Sequence, residues 1–87
     1  MENIRMEYYS AVWCGPCKIM HPAIEELKAA GWNIEKIDVD QDKARAQAAN
    51  VMAVPTFIVY KDGQPVRRFS GARQKAALEG ELKLAAS

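Results

Sequence analysis

Apolar and polar residues alternate at a two-residue period in some segments of this chain and recur at helical spacing in others. Ile4 to Tyr9 reads as a strand, with Ile4, Met6 and Tyr8 on one face and Arg5, Glu7 and Tyr9 on the other. Ile19, Met20, Ala23, Ile24, Leu27 and Ala30 then recur at helical spacing, and Gly31 supplies a stop. Pro16 suits the first turn of that helix, and Pro22, inside it, is expected to kink it by clashing with the Lys18 carbonyl. Ile34 to Val39 is a second strand, after which Asp40 is expected to cap a short Ala-rich helix ending near Ala49. A third strand, Thr56 to Tyr60, leads through Asp62-Gly63 into a fourth, Gln64 to Phe69. That dipeptide suits a type I′ turn, whose two central residues need positive φ. Gly71 breaks the chain, and Arg73 to Ala85 reads as a last amphipathic helix with Leu78, Leu82 and Ala85 inward. Gly80 weakens it by roughly 1 kcal/mol relative to Ala. The order is β-α-β-α-β-β-α, an α/β architecture with a parallel part joined to an antiparallel hairpin and helices on both faces.

Composition narrows this picture. With 87 residues there is room for a single domain, 1–87, with one modest core. Twelve Lys and Arg against 11 Asp and Glu leave no basic stripe for nucleic acid and no acidic tail. Met1 to Arg5 carries charge but no apolar run of the kind a secretory leader needs, and no stretch reaches membrane-span length. A soluble, cytoplasmic monomer is the expectation, with neither nucleic-acid nor membrane partners.

The two cysteines, Cys14 and Cys17, change the picture most. A structural disulfide stabilises by closing a long loop, and this pair closes almost none. Cys-x-x-Cys between a strand and a helix is instead a redox signature. Cys14 falls at the helix N-terminus, where free N–H groups and the helix dipole favour a thiolate, the form that attacks disulfides. A bland alternative is metal binding, since His21 completes a Cys-x2-Cys-x3-His set. A closed zinc site needs four ligands, however, and the sequence has no further Cys or His.

Trp13-Cys14-Gly15-Pro16-Cys17-Lys18 resembles the active-site signature of the thioredoxin family. The likeness extends along nearly the whole chain. Pro22 matches the helix-kinking proline, Lys36 the lysine of the next strand, and Val54-Pro55-Thr56 the segment whose cis-proline faces the cysteines. Lys61-Asp62-Gly63 matches the hairpin, and Gly71 the glycine before the last helix. The resemblance implies a thioredoxin-like fold in a minimal form, with a four-stranded mixed sheet flanked by helices. It also implies roles: Cys14 attacks a substrate disulfide, and Cys17 resolves the mixed disulfide. Val54, before cis-Pro55, pairs with the substrate backbone, while Trp13, Gly15, Pro16, Gly71 and Ala72 provide the contact surface. No cofactor is implied beyond the Cys14–Cys17 pair. The implied partners are protein disulfides and a reductant, either of thioredoxin-reductase type or linked to glutathione.

Two features depart from the family pattern. Members carry a further strand and helix ahead of this point, and only a few residues precede the first strand here. The charged face of that strand, Arg5, Glu7 and Tyr9, is then expected to lack its usual cover. In addition, the buried aspartate that members place six residues before the first cysteine is Tyr8 here. His21, one helical turn beyond Cys17, is out of pattern and is a candidate base for the resolving thiol. It could instead hydrogen-bond Tyr8 or lie exposed beyond Pro22. Lys36, on the same face as Tyr8, could stabilise a thiolate. The resulting expectation is a reductase of protein disulfides. The alternatives are a glutaredoxin-like reductase fed by glutathione and a non-catalytic binding subunit built on the same fold.

Overall fold

The β-prone run at residues 4–10 and the helical run after it are realised as a crossover unit that brings two strands together in parallel. The computed structural model describes residues 3–87; Met1 and Glu2, part of the leader expectation, lie outside the described residues. The elements are β1 Ile4–Ser10, α1 Gly15–Ala29, β2 Asn33–Asp38, α2 Lys43–Ala48, β3 Thr56–Lys61, β4 Gln64–Ser70 and α3 Lys75–Ala86. They build one four-stranded sheet in the order β2-β1-β3-β4. β1 pairs parallel with β2, while β1–β3 and β3–β4 are antiparallel.

Local chemistry sets the joints. Gly31, at φ 106°, ends α1, and the Trp32 N–H returns to the Leu27 carbonyl. Asp62 and Gly63, with φ of 53° and 83°, make the hairpin turn as expected. Asn50 ends α2 at φ 55°, taking the left-handed position that glycine usually fills. The cap of α2 is not Asp40. The helix begins two residues later, and Asp42 accepts the Arg45 N–H at 3.2 Å. Asp38 is the cause, because its carboxylate accepts the N–H groups of Asp40 and Gln41 and holds that stretch in a turn. Likewise α3 starts at Lys75 rather than Arg73.

The sheet carries two apolar layers. On one face Ile4, Met6, Tyr8, Phe57 and Val59 pack against Cys17, Met20, Ile24 and Leu27 of α1 and Leu78, Leu82 and Ala85 of α3. Ile19 and Ala30 are not part of this layer; Ile19 is 80% exposed, since it sits on the outer side of α1. On the other face Tyr9, Ile37 and Ile58 meet Ala46 of α2.

The second face of β1 departs from expectation. Glu7 and Tyr9 are buried rather than left uncovered. The Glu7 carboxylate accepts from Arg5 at 2.9 Å, Tyr9 at 2.9 Å, Tyr60 at 3.0 Å and Arg45 at 2.8 Å. Arg45 also makes a two-pronged ion pair with Glu35 on β2. Side chains of α2 and β3 thus neutralise and cover this face. Burial alone would raise the Glu7 pKa, but the hydrogen bonds from Arg5, Tyr9, Tyr60 and Arg45 together hold it below its ordinary value.

A carboxyl group with a depressed folded-state pKa contributes stability above its unfolded pKa, and this is lost as pH falls through the folded value. Stability is therefore expected to fall on acidification below about pH 4.3. Glu7→Gln should lose about 1–3 kcal/mol at neutral pH by leaving charged partners unmatched. It should also flatten the acid dependence, which urea titrations near pH 7 and pH 3 would measure. An unchanged acid slope in the variant would place the titrating group elsewhere.

Candidate functional site

β1 ends at Ser10, and a turn closed by the Cys14 N–H on the Ala11 carbonyl, at 3.1 Å, delivers the chain to α1. Cys14 is the N-cap, with extended dihedrals. Its Sγ accepts the Cys17 N–H at 3.2 Å, a sulfur in the place where Ser or Asp usually offers oxygen. Pro16 occupies the first turn as expected. An added Cβ at Gly15 would meet nothing within 4 Å, so this glycine leaves the approach open rather than relieving a clash. Cys14 and Cys17 are joined as a disulfide, with Cα atoms 5.2 Å apart. Both are buried, but Cys14 keeps 4% of its surface exposed whereas Cys17 has none.

Beneath Cys17 lies the Tyr8 side chain. Its hydroxyl donates to the Cys17 carbonyl at 3.1 Å. Its ring stacks on Phe57 with centroids 5.2 Å apart, and the His21 ring meets it edge-on at 6.3 Å. The Tyr8 hydroxyl goes to the Cys17 backbone and not to His21. Burial pushes the Tyr8 pKa up to about 12, so the phenol stays protonated. His21 lies half-buried against a small hollow of about 100 Å³ shared with Ile24, Glu25, Lys28 and Lys36. Its Nε2 is buried without a hydrogen-bond partner. Burial, then the Lys36 charge, and to a lesser degree Lys18, hold its pKa below 6.5 against the opposing Glu25. Lys36 stands beside Tyr8 in the strand register and bears on His21.

The rim around the sulfurs is exposed and largely apolar. Trp13 is 66% exposed, and its indole N–H donates to Asp40 at 2.7 Å. Asp40 thus orients the tryptophan instead of capping a helix, a role that a cap reading of Asp-x-Asp conceals. The Val54–Pro55 peptide is cis. Pro55 is buried with Val54 half-buried beside it, and the Pro55 carbonyl accepts the Gly71 N–H at 2.9 Å. That bond brings the 54–55 and 71–72 segments together. Thr56 braces the same turn by donating to the Ala53 carbonyl at 2.6 Å. Gly71 and Ala72 are exposed, and Gly71 needs glycine for its φ of 94°. Val12 and Met52, 70% and 87% exposed, were not among the sequence-derived site residues. The available signal was an apolar side chain in a loop beside each motif.

Comparison with known proteins agrees with this arrangement. The thioredoxin family model matches residues 2–84. A thioredoxin of Mycobacterium tuberculosis is 47% identical over 75 residues, covering 83% of this chain and 65% of that protein. The bifunctional thioredoxin reductase/thioredoxin of Mycobacterium leprae is 43% identical over 75 residues, covering 83% of this chain and 16% of the relative. The chain thus spans just under two thirds of the mycobacterial thioredoxin it matches. Among solved structures, a mutant thioredoxin from Halobacterium salinarum superposes with a TM-score of 0.92 at 31% identity, covering 99% of this chain and 77% of that one. With a cysteine pair at the N-cap of α1, a cis-proline tied to Gly71 and this match along nearly its whole length, the chain belongs to the thioredoxin family.

Proposed function

We propose that this protein reduces protein disulfides by dithiol–disulfide exchange, with Cys14 as nucleophile and Cys17 as resolving thiol. The carrying observation is the asymmetry of the pair: Cys14 is the helix N-cap, nearly buried beneath an exposed rim, and Cys17, inside the helix, has no exposed surface. In the reduced protein, N–H groups and the helix dipole favour a thiolate at Cys14. That thiolate attacks one substrate sulfur, a Cys14–substrate disulfide forms, and the other substrate sulfur leaves as a thiolate. Cys17 then loses its proton and attacks Cys14 Sγ. The Cys14–Cys17 bond forms, the second substrate thiolate leaves, and two electrons have passed to the substrate. The pair is itself the redox group, so this cycle requires no separate cofactor.

The exposed Trp13, Pro16, Gly71 and Ala72 supply the contact surface in this reading, and Val54 offers backbone to an extended substrate segment. A thioredoxin-reductase-type partner recharges the pair; the fused reductase/thioredoxin from Mycobacterium leprae supports that pairing. Among the described residues no helix is long and apolar enough to cross a membrane. The role assignment predicts that Cys17→Ser accumulates a mixed disulfide through Cys14 when offered an oxidised protein such as insulin. Cys14→Ser should accumulate none. Adducts forming chiefly at Cys17, mapped by mass spectrometry, would reverse the assignment.

The proton of Cys17 goes to His21 in this proposal. The supporting observations are its place one turn along α1, its unpartnered buried Nε2, and a pKa that keeps the imidazole neutral near pH 7. Lys36 acts by holding it unprotonated. His21→Ala is expected to slow resolution on the order of 10²-fold while sparing attack by Cys14. The resolution rate should inflect below pH 6.5, and Lys36→Gln should move that inflection upward, because it removes a charge that lowers the His21 pKa. Rapid-quench kinetics read both rates. Equal resolution in wild type and His21→Ala from pH 6 to pH 8 would remove His21 from the mechanism.

A further inference from the structure

Cys17 is the third residue of α1, and its carbonyl lies within reach of the His21 N–H, four residues on in the helix. The Tyr8 hydroxyl is a second donor to the same oxygen, and it comes from the sheet. It therefore joins β1 to α1 at the one residue whose sulfur must move onto Cys14. We propose that Tyr8 is a positioning residue for Cys17, fixing the height of the resolving thiol over the sheet so that it closes rapidly on the mixed disulfide. The proposal rests on the assignment of Cys17 as resolving thiol.

The tether is built to be stiff. Tyr8 has no exposed surface, its ring lies nearly parallel to Phe57 at an interplanar angle of 9°, and the His21 ring stands at 79° to it with centroids 6.3 Å apart. Phe57 is held in turn by Phe69, with centroids 4.9 Å apart. A wholly buried ring stacked in this way delivers its hydroxyl to one place. The hydroxyl also stays a donor, because burial holds the phenol protonated. An ionisable carboxylate at this position would accept a proton from Cys17 but could not donate to the carbonyl while charged. Tyr8 does the reverse, contributing geometry and no proton acceptor. Ring closure is an intramolecular displacement, and its rate depends on how tightly the attacking sulfur is confined near its target.

The test uses the full chain and its Tyr8→Phe variant. Phenylalanine keeps the stacked ring and removes only the tether, and the Cys17 carbonyl retains its helical donor. The reduced proteins are mixed with a symmetrical aromatic disulfide whose thiolate is coloured, so attack by Cys14 and resolution by Cys17 each release one coloured equivalent. Resolution in Tyr8→Phe should be roughly two- to tenfold slower at every pH from 6 to 8, matching the loss of one neutral hydrogen bond. Attack should be unchanged. The carbonyl carbon of Cys17, labelled with ¹³C, should shift upfield in the variant, showing directly that the donor is gone.

Resolution equal to wild type, or attack slowed by the same factor, would overturn the positioning role and leave Tyr8 as packing. A loss of thermal stability in the variant would not change the ratio of the two rates. Failure of the underlying reading looks different. In that case wild type releases no second equivalent, or releases it equally well after Cys17→Ser.

Discussion

The whole arrangement depends on β1 being covered on both faces at once. It is an inner strand, with β2 on one side and β3 on the other, so its backbone groups are committed to the sheet. Its side chains must then satisfy two different layers. Ile4, Met6 and Tyr8 enter the apolar layer under α1 and α3, whereas Glu7 and Tyr9 enter a layer that includes a buried charge. A strand fixed from both sides has a fixed end. The turn from Ala11 to Cys14 starts from that end, and the placement of both sulfurs follows from it.

The two layers use different physics. Under α1 the interior is apolar, and its polar atoms are few; the Tyr8 hydroxyl serves the Cys17 carbonyl. Under α2 a carboxylate is tolerated because four donors converge on it. Removing a charged side chain from water is costly unless its hydrogen-bonding capacity is met, and Glu7 meets that condition within the fold. The short helix α2 has only six residues and little intrinsic stability. Arg45 gives it two anchors, Glu7 on β1 and Glu35 on β2, and Arg68 on β4 donates to the carbonyls of Ala49 and Asn50 at its end. Polar contacts therefore hold α2 where its small side chains bury little.

The element order, the hairpin and the inward positions of α3 were legible in the sequence, because each rests on a short-range rule. Asp62-Gly63 demands its turn, and Leu78, Leu82 and Ala85 lie on one helical stripe whatever surrounds them. The cysteine pair was equally legible, since spacing and flanking pattern carry it. What the sequence did not disclose depends on tertiary partners. Arg5, Glu7 and Tyr9 look like an uncovered face until Arg45, distant in the chain, is brought over Glu7. Asp40 looks like a cap until Asp38 captures its N–H and Trp13 claims its carboxylate. Ile19 has the spacing of a core residue, yet α1 buries only one stripe and Ile19 lies outside it. Tyr8 was legible as a departure from pattern, but not as a donor to Cys17, because the hydroxyl could equally have met His21.

The two cysteines are chemically identical, so any difference between them is imposed by the fold. Cys14 receives an N–H and the positive end of a helix, beside the exposed Trp13, Gly15 and Pro16. Cys17 receives full burial, with the Tyr8 phenol donating to its carbonyl and His21 one helical turn on. The fold thus gives one cysteine a helix terminus and the other an enclosed place against the sheet, so the two sulfurs of one short motif end in unlike surroundings.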